Sequence, residues 1–464
     1  MRNTKEIQMT QQFMTSNMFA SPDSKTSKIK NIISFLAVTA LAVLVSLIFA
    51  PKAHATTYNV TPTSSCSLVE AFEAAATDLA VGTCPAGEAT LDTINVGAGT
   101  YTLAAAPPTA STNGDISVIG ASATTTIIDG AGFTGFRLLS AGATPTLLIS
   151  NLTMQNFTSS TASGPEAVIV SFTGNLIGDK LIVRNNSCAD ENLPVCVLFG
   201  NASAAAANTF TLTNSAFYNN SSFVLIGLQN GIFSGTVTPG AGITLNLTNN
   251  TFSGNTGTIL GLTNISPETT VTANVTNNTF ASNTVAAGAV FYMNGNPDPT
   301  PYSTILNLEN NIFYQNLDAN SGQATCPTAL DPTATITSLG GNISDDNTCA
   351  TYFTATNDLN ETDALISPLA LDMGTYVRAI NASSPAYNNG ILNESPKDDQ
   401  RGVTRPQGGG IDSGAYEFVV PEPTPSPTPG TLASTGWDTR LPAILATLFV
   451  LAGLSGVGYA LKRR

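Results

Sequence analysis

Histidine is nearly absent from this 464-residue chain, which carries one, His54. Tryptophan is also single, Trp437, and only 10% of residues are charged. Each scarcity excludes a chemistry. A serine nucleophile would have no imidazole base beyond residue 54, and no G-x-S-x-G elbow occurs. None of the six cysteines sits in a CxxC pair, so zinc held through sulfur is not expected. No spaced D-x-D-x-D loop or glycine-rich nonapeptide supplies calcium ligands, so neither metal nor cofactor is expected. Basic residues are few: between 56 and 435 there are seven (137, 180, 184, 378, 397, 401 and 405) against 28 acidic ones, a balance of −21. Such a body repels nucleic acid and anionic lipid, which excludes a nucleic-acid partner.

What the chain has in plenty is Thr, Asn, Ser, Ala and Gly, the composition of β-structure with polar turns. One phrase recurs: LTNSAFYNNSS at 212–222, LTNNTFSGNTG at 247–257, VTNNTFASNTV at 275–285 and LENNIFYQNLD at 308–318. Looser copies, ISNLTMQNFT at 149–158 and LIVRNNS at 181–187, precede them. The anchors Met154, Val183, Phe217, Phe252, Phe280 and Phe313 are spaced 29, 34, 35, 28 and 33 residues apart. That period, carried by strands and Asn turns, predicts a stacked solenoid in which neighbouring coils bury each other's apolar faces. Phe217, Phe252, Phe280 and Phe313 are expected to stack coil on coil, about 4.8 Å apart. The Asn residues suit left-handed corners and can pair from coil to coil. An antiparallel sandwich is the alternative, but sandwiches seldom repeat a phrase this closely.

Both ends read as targeting segments. Lys25, Lys28 and Lys30 precede an apolar run at 32–50, and Ala53-His54-Ala55 follows as a small-x-small cleavage signature. Residues 1–55 are therefore expected to be a secretory signal with a polar extension, cut after Ala55. Met18 is an alternative start, and an uncleaved anchor the alternative fate. At the other end a 21-residue apolar run, 441–461, precedes Lys462-Arg463-Arg464, which predicts a transmembrane helix with its basic tail inside. The cysteines are even in number and exported, which favours disulfides. Proximity suggests Cys66–Cys84, Cys188–Cys196 and Cys326–Cys349, although six cysteines allow fifteen pairings.

The mature chain opens with a strand at Thr57–Val60 and then CSLVEAF at 66–72, where Leu68, Phe72 and Ala75 share one helical face. With Ser65 or Ser67 as cap, a short helix here would cover the open first coil. CSLVEAF resembles the CSLREAI signature of bacterial secreted parallel β-helix proteins, with Val69 in place of the usual Arg. CPAG at 84–87 and DTINVGAGTYTL at 92–103 are similar to that family's next lines. Further on, SPA at 384–386, DQRG at 399–402, Arg405-Pro406 and DSGAYE at 412–417 resemble its "choice-of-anchor" C-terminal region. The pattern departs at Tyr387-Asn388-Asn389. The resemblance implies an all-β, single-stranded, right-handed parallel β-helix. It divides the chain into a signal (1–55), an N-terminal cap (56–115), coils (116–345) and a choice-of-anchor-like region (346–419). Corner loops at 202–207 and 294–301 would be recognition surfaces.

Residues 420–431 form a Pro-rich linker, extended by about 3.1 Å per residue. Leu432-Ala433-Ser434-Thr435-Gly436, ahead of an apolar span and a basic tail (432–464), resembles a sortase sorting signal of LAxTG type. The resemblance implies that a host sortase cuts between Thr435 and Gly436 and joins Thr435 to cell-envelope amine groups.

Parallel β-helices include polysaccharide lyases and hydrolases, so fold alone leaves catalysis open. A polygalacturonase-like site needs a His and an RxK pair, and residues 56–435 contain neither. The carboxylate candidates are Asp345/Asp346, Asp398/Asp399 and Asp412/Glu417, which in turn-rich sequence are more often structural. The expected function is therefore non-enzymatic: a cell-surface adhesin or envelope-display scaffold, anchored through its C-terminal helix, with glycans or other cell surfaces as partners. The alternative is a polysaccharide-active lyase or glycoside hydrolase with an unrecognised carboxylate site.

Overall fold

The computed structural model describes residues 55–420 except 113, 141–143, 160–168, 172–173, 189–194, 203–206, 231–241, 265–267, 286–288, 296–302, 319, 321 and 394. Ala53, the linker beyond 420, the motif Leu432 to Gly436 and the apolar run 441–461 lie outside the described residues. Among the described residues no helix is long and apolar enough to cross a membrane. The main compact unit runs through Glu417; of a second, beginning at Phe418, only 418–420 are described.

The chain winds as a parallel β-solenoid whose coils contribute strands to three sheets. Among the described residues the first sheet has ten strands, from Thr57–Val60 to Ala334–Gly340. The second has nine, from Gly99–Thr102 to Ile343–Ser344, and the third has eleven. Neighbouring coils pair in parallel. The stack includes strands from Thr57 onward: Leu91–Val96 pairs with Asp115–Gly120 as later coils pair with each other.

The repeated phrase explains the winding. In Ile243–Thr248 burial alternates, with Ile243, Leu245 and Leu247 inward and Thr244, Asn246 and Thr248 outward. Asn249 then turns the corner at φ 55°, as do Asn214, Asn277 and Asn310 at equivalent corners, with φ 53°, 55° and 56°. Asn pays less than most residues for this left-handed geometry. The next residue of the phrase points inward. Asn250 Nδ2 donates to Asn278 Oδ1 at 3.0 Å, Asn278 to Asn311 at 3.2 Å and Asn311 to Asn342 at 2.9 Å. A second interior ladder joins Asn186, Asn220, Asn255, Asn283 and Asn316, with successive distances of 2.8, 3.0, 3.0 and 2.9 Å. Between the ladders lies the aromatic column. Phe217–Phe252, Phe252–Phe280 and Phe280–Phe313 have ring centroids 4.8, 5.0 and 5.0 Å apart, nearly parallel and fully buried. Met154 and Val183 continue the column in register below Phe217.

Each end is closed. Helix α1, Leu68–Thr77, starts at Ser67 with a reciprocal capping box: Glu70 N donates to Ser67 Oγ at 3.3 Å, and Ser67 N to Glu70 Oε2 at 2.9 Å. Its buried face places Phe72 edge-on to Phe136, with ring centroids 4.9 Å apart. Disulfides Cys66–Cys84 and Cys326–Cys349 fasten the two ends. Cys188 is half-buried, and the side chain of Cys196 is outside the described residues.

After Ile343–Ser344 the chain first caps a ladder: Asn342 N donates to Asp358 Oδ1 at 3.0 Å. It then doubles back along the flank of the coils. Ile391 exchanges two hydrogen bonds with Asn310, at 2.8 and 2.9 Å. Ser395 Oγ donates to Asn277 Oδ1 at 2.9 Å, and Asn249 Nδ2 donates to Asp398 O at 2.7 Å. The return pass adds Ala415 N to Thr279 Oγ1 at 3.0 Å and Gly414 N to Asn310 O at 2.7 Å. The outward Asn and Thr of the repeated phrase thus form a rail for this segment, a clasp formed by residues 346–417.

Candidate functional site

The second sheet presents two outward columns, and they meet different fates. One column, Ile182, Ala216, Thr251, Thr279 and Ile312 in register, lies under the clasp. Thr251 Oγ1 donates to Gln400 Oε1 at 2.6 Å. Leu369, just ahead of a small hairpin of Ala370–Asp372 and Thr375–Val377, and Tyr376 within that hairpin pack on Ile182, Ala216 and Tyr218.

The other column reads Asp129, Gln155, Arg184, Tyr218, Ser253 and Ala281 in register. Where the column narrows to Ser253 and Ala281, Arg378 of the clasp fills the space: its Nε donates to Ser253 Oγ at 3.0 Å and its guanidinium also reaches Ser282 Oγ at 3.1 Å. Toward the N-terminal end the side chains bond to one another. Gln155 Nε2 donates to Asp129 Oδ2 at 2.9 Å, and Arg184 Nε to Gln155 Oε1 at 2.9 Å. Arg184 also donates to Tyr218 Oη at 2.9 Å, and Asn156 Nδ2 to Asp129 Oδ2 at 2.8 Å. Burial works against the Asp129 charge, but the donors Gln155, Ala131 N and Asn156 outweigh it and hold the carboxyl below its ordinary value. Asp129, Gln155 and Arg184 are half-buried, and Tyr376 tilts against Tyr218 with ring centroids 4.8 Å apart.

The three carboxylate pairs occupy bonding positions inside the clasp and the last coil. Glu417 meets Arg405 at 2.8 Å, with both side chains 1% exposed. It also accepts from Gln407 N at 2.8 Å and Asp412 N at 3.0 Å. Asp412 is fully buried and accepts from Asn388 N at 2.7 Å. Asp399 pairs with Arg401 at 2.8 Å and accepts from Glu417 N at 2.9 Å, while Asp398 bonds Thr404 Oγ1 at 2.9 Å. Arg401 lies 3.5 Å over the Tyr416 ring. Asp346 accepts from Ser344, Thr348 and Thr325 N. Asp345 accepts from Gln315 N at 2.8 Å, and burial, reinforced by neighbouring Asp346 and Asp363, pushes its carboxyl above the ordinary value.

Among the described residues no group of His, Cys, Asp and Glu is placed to hold a metal ion. A groove of about 370 Å³ runs between Thr61, Ser67 and Val69 on one side and Thr100, Thr102 and Ala105 on the other, with no titratable acid or base lining it other than the Tyr101 phenol. That phenol is already bonded, donating to Val60 O at 2.9 Å. Sequence reasoning did not find the Asp129–Tyr218 row. Its available signal was the residue directly after each inward anchor: Gln155 after Met154, Arg184 after Val183 and Tyr218 after Phe217. No family model matches the chain, and no curated protein is similar to it.

Proposed function

We propose that this chain is a non-enzymatic, surface-anchored display protein: a rigid right-handed β-helix, held off the envelope by the Pro-rich linker and acting as an adhesin or scaffold. The supporting observation is the use of its carboxylates. Asp398 accepts from Thr404 Oγ1, while Asp399, Asp412 and Glu417 spend their acceptor positions on Arg401, Arg405 and backbone amides, which binds the clasp to itself. A carboxylate saturated this way is poorly placed to trade protons with a substrate. The two disulfides are of a kind that persists in oxidising compartments, in keeping with export.

Anchoring is tested by replacing Thr435 and Gly436 in the producing cell and fractionating it. The protein should then stay with the membrane; unchanged attachment to the wall would reject sortase processing. The second reading, a polysaccharide-active enzyme, draws on one observation, the raised proton affinity of half-buried Asp345. Purified protein is incubated with plant and microbial glycans, and reducing ends and unsaturated products are measured. Turnover that Asp345→Asn abolishes would replace the display reading with an enzymatic one.

A further inference from the structure

We propose that the outward row Asp129–Gln155–Arg184–Tyr218, ended by the Tyr376 ring, binds an uncharged, hydroxyl-rich oligosaccharide lying along the solenoid axis. The inference deepens the display reading by naming what is bound and where. It starts from continuity: the same sheet face is already an interface farther along, where Arg378 seats on Ser253 and Ser282 and Gln400 on Thr251. The clasp's cover reaches Tyr218 and Ile182 through Tyr376 and Leu369, and the row runs on from its edge toward the N-terminal end.

The chemistry of the row differs from that of its surroundings. Asp, Gln, Arg and Asn supply planar groups able to make paired hydrogen bonds, and each is fixed by the next: Asp129 by Gln155 and Asn156, Gln155 by Arg184, Arg184 by Tyr218. Preorganised groups lose little side-chain freedom on binding. They repeat at the coil spacing, which the stacked phenylalanine rings put at 4.8 to 5.0 Å. An extended sugar chain presents hydroxyl groups with a similar period. Tyr376, half-buried and tilted against Tyr218, places an aromatic ring at the end of the row, a group of the sort that packs against sugar rings. Charge selects among sugars: a body with a balance of −21 opposes the approach of uronic acid polymers, so a neutral chain is favoured.

The test is titration calorimetry on the full chain in detergent, using soluble hexaoses of glucose, xylose, N-acetylglucosamine and galacturonic acid as probes. One of the neutral hexaoses should bind. Arg184→Met and Gln155→Leu should each weaken it at least about tenfold, as loss of hydrogen bonds to a charged or fixed partner does, with the β-sheet circular dichroism retained. Tyr376→Ala should weaken it independently. Absence of binding by every hexaose, preference for the galacturonate, or affinity unaltered by both Arg184→Met and Gln155→Leu would overturn the proposal. Wall attachment, read separately by fractionation, keeps the display reading distinguishable: if attachment stands while calorimetry fails, only this inference falls.

Discussion

Asn283 and Phe280 sit three residues apart in one coil and stabilise it by different means. Phe280 is a fully buried member of a ring column, and Phe280→Ala should cost about 3–5 kcal/mol in urea denaturation through lost contacts and a cavity. Asn283 accepts from Asn255 N and Nδ2, both at 3.0 Å, and donates to Asn316 Oδ1 at 2.9 Å and Phe252 O at 3.1 Å. Asn283→Ala would strand several buried groups at about 1–3 kcal/mol each. It should therefore be at least as damaging as Phe280→Ala although it removes less volume; a milder effect would show that the ladder is replaceable by packing. Asp345 gives a pH signature. Its carboxyl is pushed up in the fold by burial, so ionisation costs stability at pH above the folded value. That cost disappears as pH falls below the unfolded value of about 3.9. Asp345→Asn should thus raise the melting temperature at pH 7 and give no gain near pH 3, read by thermal melts across that range.

At the scale of elements, a buried arginine holds the clasp to itself. Arg405 reaches Glu417, Asp412 O at 2.9 Å and Gly414 O at 2.8 Å from a buried site. Arg405→Met would leave Glu417 charged and buried without its partner, which costs about 3–5 kcal/mol. Limited proteolysis should then cut within 346–417 while fragments containing the earlier coils survive; equal resistance in both proteins would argue against the pair as the clasp's fastening. The coils and α1 were legible in the sequence. The anchors Met154 through Phe313 mark residues that pair in register, and Leu68, Phe72 and Ala75 do line the buried face of the helix. The clasp was not legible. Among the described residues its only regular strands are Ala370–Asp372 and Thr375–Val377, and its contacts reach as far as Asn310 with Ile391, 81 residues apart, and Asn249 with Arg405, 156 apart. No local period reports such bonds. The DQRG and DSGAYE phrases could be seen, yet that their charges face each other is a property of the folded segment.

For the whole molecule, both disulfides sit where a solenoid is weakest, at the coils that lack a neighbour on one side. Cys66–Cys84 closes 18 residues beside α1, and Cys326–Cys349 closes 23 at the last coils. Replacing Cys326 and Cys349 with Ser should lower stability by about 3 kcal/mol. Hydrogen exchange should then show loss of protection beginning at residues 303–344 and not at the α1 end; uniform loss along the chain would mean the coils melt as one block.

The rail of Asn249, Asn277 and Asn310 also sets a rule for how such a protein can change in length over evolutionary time. The parallel pairing between two coils is the same joint wherever it occurs, so an added or deleted coil would find compatible neighbours along the stack. The clasp removes that freedom from one half. Inserting a coil between Tyr218 and Asn342 would carry Asn310 away from Ile391, or Asn249 away from Asp398, and the segment could not stay fastened at both. Duplication is therefore tolerable only among the coils before Tyr218, which makes the clasp a ruler that fixes the length of the C-terminal half and leaves the outer half open to variation.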